Sequence, residues 1–294
     1  MRGGTATRQH LTMTERRARA FAQVDVFSTT PYLGNPLAVV LDGAGVSDDD
    51  MARFARWTNL SETTFVLPGT APEADYRLRI FTPGGELPFA GHPTLGSAHA
   101  WLDRGGTPKS RDRVVQECAA GLVDVRLAPR RLSFAAPPTV RSGPLDEEFL
   151  DMIVTAAGIT RDRVVAHQWV DNGPGWAAVQ LSSAEEVLAL EPDFSHLPDA
   201  MLGVVGAHAP GAECAFEVRV FGPRVGVSED PVTGSFNASV AQWLIGTGAA
   251  PGSYTVSQGS RLGRDGVVHI EADDAGTVWV GGASTTCIRG TVAL

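Results

Sequence analysis

Arg79-Ile80-Phe81-Thr82-Pro83 returns later in the chain as Arg219-Val220-Phe221-Gly222-Pro223, an offset of 219 − 79 = 140 residues. Each copy runs through a polar loop into an apolar helix with a Trp-Leu pair near its end. Glu86-Leu87-Pro88-Phe89-Ala90-Gly91-His92-Pro93-Thr94 leads to Trp101-Leu102. Glu229-Asp230-Pro231-Val232-Thr233-Gly234-Ser235 leads to Trp243-Leu244. A period of this size is far above the ~20–50 residues of solenoids and propellers. The chain of 294 residues therefore reads as a duplicated domain, with one site expected between the two copies.

Working outward, Tyr76 to Phe81 and Phe21 to Phe27 alternate as strands do, and Pro36 to Leu41 reads as a buried strand. Ser47 is an N-cap candidate, with Asp48, Asp49 and Asp50 suited to a helix start that runs to about Trp57. Ser61 to Leu67 is β-rich. Pro93 or Thr94 is expected to open a helix that Gly105-Gly106 stops. Val114 to Val125 and Arg131 to Phe134 read as further strands, and Pro137-Pro138 with Gly143-Pro144 as a linker. In the second half, helices are expected over Glu147–Ala157, Ala184–Leu190 and Gly234–Ile245. Strands are expected near 163–170, 175–181, 216–221, 254–258, 267–272, 277–280 and 286–294. Regular crossover helices are missing between the strands, which points to α+β and away from a doubly wound sheet.

The net charge of −9 argues against a duplex nucleic-acid partner, and no apolar run approaches the ~18–20 residues of a membrane span. Residues 1–20 read as a flexible basic leader with five Arg and no signal-peptide core. Three Cys without a CxxC pattern fit a reducing cytoplasm. No HxxxH, HExxH or CxxC pattern supports a metal site. Dinucleotide, P-loop and GxSxG motifs are missing as well.

Four polar residues stand out. Glu62, among apolar neighbours, is a carboxyl whose pKa desolvation would raise toward neutrality, though an exposed strand position also accounts for it. His92 sits at a helix start, where an imidazole can be presented to a ligand. Asp230 and Ser235 bracket the matching loop and are, taken alone, ordinary cap residues. If the copies pack face to face, the free N–H groups near Gly91 and Gly234 converge on one anion such as a carboxylate.

These segments together resemble the phenazine-biosynthesis isomerase family (PhzF-like proteins). The resemblance rests on Gly34-Asn35-Pro36-Leu37-Ala38-Val39-Val40, Asn59-Leu60-Ser61-Glu62-Thr63-Thr64-Phe65, Phe89-Ala90-Gly91-His92-Pro93-Thr94-Leu95-Gly96, Glu229 to Ser235, and Gln258-Gly259 with Gly263-Arg264. It implies the diaminopimelate epimerase-like fold: two pseudo-symmetric domains, each a curved, barrel-like sheet around a central helix, with the site in the cleft. The expected division is 21–142 plus a C-terminal strand at about 284–294, against 143–283. The resemblance also implies a homodimer and cofactor-free proton transfer on a small cyclic carboxylic acid. In the phenazine enzyme of the family, the substrate is trans-2,3-dihydro-3-hydroxyanthranilate. There the counterpart of Glu62 carries a proton from C3 to C1. The counterparts of His92 and Asp230 assist, and those of Gly91, Gly234 and Ser235 hold the substrate. The thiol-dependent relatives carry a Cys where Ala90 stands here, so a two-thiol racemase is disfavoured. A family isomerase or tautomerase for another secondary-metabolite precursor, and a non-catalytic binding protein on the same scaffold, stay open as alternatives.

Overall fold

The structure, a computed structural model, describes residues 16–294. Most of the expected leader lies outside the described residues, but its last part does not: the first strand, β1 (Ala18–Val26), already starts there. Ala18, Arg19 and Ala20 pair with Ala293, Val292 and Thr291. The first half continues with β2 (Asn35–Val40), α1 (Asp48–Thr58), β3 (Thr63–Leu67), β4 (Tyr76–Thr82), β5 (Gly85–Leu87), α2 (Gly91–Asp103), β6 (Arg113–Cys118), β7 (Gly121–Ala128) and β8 (Arg131–Ala135). After α3 (Glu147–Ala157) come β9 (Ala166–Trp169), β10 (Ala177–Leu181), α4 (Ala184–Leu188), β11 (Leu202–Ala207), β12 (Phe216–Gly222), β13 (Val227–Asp230), α5 (Gly234–Gly246), β14 (Ser253–Gln258), β15 (Gly266–Ala272), β16 (Val278–Gly282) and β17 (Ser284–Ala293).

The two halves share one ladder. In the first, β1–β2 is antiparallel, β2–β3 parallel and β3–β4 antiparallel. Then β4–β6 is parallel and β6–β7–β8 antiparallel, with β5 folded back on β4. From β9 to β16 the same order recurs, with β13 folded back on β12. The equivalent strands β8 and β16 pair antiparallel and join the halves, with Val280 opposite Phe134. The last strand, β17, returns to the first half and pairs with β1.

Each curved sheet wraps one helix, α2 or α5, whose residues are mostly buried and whose first turn carries no acidic side chain. A helix apolar on nearly every face belongs inside a core. One continuous core holds Val26, Leu37, Leu95 and Phe134 from the first half with Phe236, Val240, Leu244 and Val280 from the second.

The duplicated arginine explains itself. The β4 residue Arg79 forms a two-pronged bond with Glu86 of β5, at 2.7 and 2.6 Å. Its counterpart Arg219 does the same with Glu229 of β13, at 2.9 and 2.8 Å. The phenyl rings of Phe81 and Phe221 lie 5.0 and 5.2 Å from the guanidinium carbons. Planar, bidentate pairing of this kind needs Arg and cannot be met by Lys. Each pair locks the short return strand that feeds the following helix. No described helix is long and apolar enough to cross a membrane.

Candidate active site

The helix starts meet at the seam. A Cβ on Gly91 would lie 3.2 Å from the Gly234 Cα, and one on Gly234 would lie 3.2 Å from the Gly91 Cα and the His92 nitrogen. Glycine at both first positions is what allows this approach. His92 and Ser235 are then the second residues of α2 and α5, related by the internal symmetry. The α2 helix begins at Gly91, ahead of the expected Pro93 or Thr94. Proline is compatible with the first turn because its missing N–H has no intrahelical acceptor there. The helical bonding starts with Thr94 N to Ala90 O and Asn237 N to Thr233 O. The N–H groups before these donors, on residues 91–92 and 234–236, lie outside both ladders, and such free donors at helix starts favour an anion.

Glu62 lies immediately before β3 and not within it. The pairs Thr63–Phe81 and Leu202–Phe221 make Met201 its counterpart in the second half. The repeat therefore places a carboxyl in one copy and a thioether in the other. Glu62 Oε2 sits 3.3 Å from His92 Nε2, with the two side chains 15% and 5% exposed. Both atoms are buried and lack a well-aligned hydrogen bond among the described residues.

Asp230, at the end of β13, comes to the same place from the second half. Burial pushes its pKa up to about 6, against donors from Thr233, Asn35 and Ser61 that favour the carboxylate. Thr233 Oγ1 donates to Asp230 Oδ2 at 2.6 Å, and Asn35 Nδ2 to Oδ1 at 3.1 Å. Burial, with the Asp230 charge beside it, pushes Glu62 up to about 8. Burial pushes His92 down to about 3. At neutral pH the contact is therefore a neutral imidazole facing a predominantly protonated carboxyl, with Asp230 ionised. Two carboxyls held at different pKa values are a recurrent acid/base arrangement.

Asn35 ties the set together. Its Nδ2 reaches Val232 O at 2.8 Å, Asp230 Oδ1 at 3.1 Å and His92 Nδ1 at 3.4 Å. The two hydrogens of Nδ2 are taken at the shorter distances by Val232 O and Asp230 Oδ1; with its ring proton on Nε2, His92 would face Glu62 as a donor. Gln258 supports the other side, donating to Asp230 O and Thr233 Oγ1 at 3.0 Å each and accepting from Thr233 N and Asn237 Nδ2.

Glu62, His92, Asp230, Gly91, Gly234 and Ser235 thus lie around one seam. Asn35 and Gln258 are additions that residue-by-residue reading missed, since both occur in turn-like or β-like segments with no acid/base signal. In the basic turn after Gln258, Arg261 pairs with Glu191, and Arg264 Nη1 donates to Tyr32 O at 2.7 Å, bridging the halves. The three thiols bond elsewhere: Cys118 to Gly121 O and Cys287 to Thr285 O, while Cys214 lies by Thr255 and Ser257.

Comparison with known proteins agrees with this geometry. The model of the phenazine biosynthesis-like protein family (PhzC-PhzF) matches residues 24–290. Antisense-enhancing sequence 1 of Schizosaccharomyces pombe is 37% identical over 290 residues, covering 92% of this chain and 97% of that protein. The trans-2,3-dihydro-3-hydroxyanthranilate isomerase of Pseudomonas aeruginosa is 35% identical over 260 residues, covering 87% and 91%. A phenazine biosynthesis PhzF-family crystal structure from Enterococcus faecalis shares the fold with a TM-score of 0.80 at 23% identity, covering 95% and 100%. The chain belongs to the phenazine biosynthesis-like family and is an isomerase of that family.

Proposed function

We propose that the protein moves a proton between two carbons of a small cyclic, unsaturated amino acid, as the dihydrohydroxyanthranilate isomerases do, with no thiol and no cofactor. The observation that carries this reading is Glu62: a carboxyl raised to about 8, against His92 and beside Asp230, under two helix starts. The ionised Glu62 takes the proton from C3, leaving the electron pair delocalised into the unsaturated acid. The resulting Glu62 carboxylic acid then delivers a proton to C1, so the enzyme ends in the form in which it began. Raising the pKa strengthens the carboxylate as a base, and it leaves roughly one molecule in ten ionised at pH 7. Asp230 keeps Glu62 basic. His92, with its proton on Nε2, steadies the Glu62 carboxylate. The N–H groups beginning α2 and α5, with Ser235, hold the substrate carboxylate and the charge that develops.

The test is NMR of trans-2,3-dihydro-3-hydroxyanthranilate with the purified protein. Loss of the C3–H signal with appearance of the isomerised ketone is expected. An unchanged spectrum with folded protein would overturn this substrate. A second reading, another small unsaturated acid as substrate, is favoured by one observation: the fission-yeast relative, at 37% identity, does not carry the isomerase name that the 35% relative does. The same assay with other cyclic amino acids separates the two.

A further inference from the structure

Ser235 is held from outside the helix it opens. The loop before β10 is folded on itself, with Asp171 Oδ1 accepting from Gly173 N at 2.7 Å and from Gly175 N at 2.6 Å. This fold turns two side chains onto the second residue of α5. Trp176 Nε1 donates to Ser235 Oγ at 3.1 Å, and Asn172 Nδ2 donates to Ser235 O at 2.9 Å. Trp176 is 5% exposed, and its ring is fixed edge-on against Phe236 at 5.8 Å.

An indole N–H can only donate. Ser235 Oγ is therefore the acceptor in that bond, and its own proton must point elsewhere. Among the described residues that hydroxyl donates to no group. A serine at a helix start commonly turns its oxygen to cap backbone N–H groups. Ser235 is the second residue of α5 and not its cap; the cap residue, Thr233, makes no side-chain cap and gives its hydroxyl to Asp230 instead.

We propose that Trp176, with Asn172 securing the same residue, is a positioning residue that sets Ser235 as a hydrogen-bond donor toward the ligand carboxylate. This rests on the reading above that the two helix starts hold a carboxylate. The indole acts through the serine: by donating to Oγ it requires the hydroxyl proton to point away from Nε1, and it leaves that O–H free for the anion.

The experiment is a double-mutant cycle read by calorimetric binding of anthranilate and of its uncharged carboxamide. Trp176→Phe keeps the ring and removes the N–H. It is expected to weaken anthranilate about tenfold, as one hydrogen bond to a charged group would. It weakens the carboxamide less, because a neutral carbonyl accepts a weaker bond than a carboxylate, and has no further effect once Ser235→Ala is present. In turnover it raises KM and leaves kcat nearly unchanged. Equal losses for both ligands, or the same loss with and without Ser235→Ala, would show a merely structural tryptophan and overturn the proposal. If Ser235→Ala weakens anthranilate and Trp176→Phe does not, the proposal alone fails. If Ser235→Ala leaves anthranilate binding unchanged, the carboxylate reading fails and takes the proposal with it. Should Trp176→Phe not fold, Asn172→Leu is run through the same cycle, with the same two outcomes.

Discussion

The stability of Glu62→Gln relative to the wild type should rise with pH. Burial and the Asp230 charge move this carboxyl from its ordinary 4.5 to about 8. Between those pH values the folded protein keeps a proton that the unfolded chain has released. Folding stability therefore declines with rising pH across that window, because the unfolded state binds fewer protons. At ~1.36 kcal/mol per pH unit, the penalty is near zero at pH 4, about 2 kcal/mol at pH 6 and about 5 kcal/mol above pH 8. Gln has nearly the same shape and does not titrate. The difference in unfolding free energy, variant minus wild type, should thus grow by about 5 kcal/mol between pH 4 and pH 9. His92 works in the opposite direction, since burial lowers it to about 3 and its contribution is lost as pH falls through 6.5 toward 3. It is present in both proteins and cancels in the difference. The assay is urea unfolding followed by tryptophan fluorescence at five pH values. A difference that stays flat with pH, or shrinks, would refute the argument that Glu62 is destabilised where it sits. Strain stored in a reactive carboxyl is the familiar exchange of stability for activity.

Other perturbations test other parts of the account. Arg219→Ala strands Glu229 at 12% side-chain exposure and should cost about 3–5 kcal/mol. Arg79→Ala should cost less, because Glu86 keeps 36% exposure and can hydrate; urea unfolding of both that shows the reverse order would contradict the comparison. Gly91→Ala places a methyl 2.6 Å from the Phe134 ring and 3.2 Å from the Gly234 Cα. It should destabilise by about 1–3 kcal/mol and lower kcat, as measured by unfolding and steady-state assays. The profile of kcat/KM against pH should rise toward a plateau above about pH 8 as Glu62 ionises, and Asp230→Asn, by removing a neighbouring negative charge, should move that limb to lower pH.

Much of this was legible in the residues. The 140-residue offset is met by β4 and β12 to the residue, 216 − 76 = 140, because the Arg-x-Phe signature and its distant Glu encode a locked hairpin in each copy. The N-cap at Ser47 and the bounds of α3 were readable for the usual local reasons. The strand β11 was not foreseen, because Gly203 and Gly206 interrupt its apolar run as a turn would. Their reason is tertiary: a Cβ at Gly203 would lie 2.1 Å from the Phe236 ring, and one at Gly206 would lie 2.2 Å from Ser183 O. Ala18 to Ala20 looked like part of a tail, since nothing local shows that β17 returns to pair with them. The candidate residues able to exchange a proton, Glu62, His92 and Asp230, were visible by type. Asn35, Gln258 and Trp176 were not, because each gains its role only from the partner that folding brings to it.

The central claim is that Glu62 carries the proton. It is tested most directly by single-turnover NMR of trans-2,3-dihydro-3-hydroxyanthranilate with wild-type protein and with Glu62→Gln, both checked for native fold. The account predicts conversion by the wild type and a loss of at least about a hundredfold in the variant, since positioned acid/base catalysis contributes ~10²–10⁴. Conversion by Glu62→Gln at a rate near that of the wild type would contradict it.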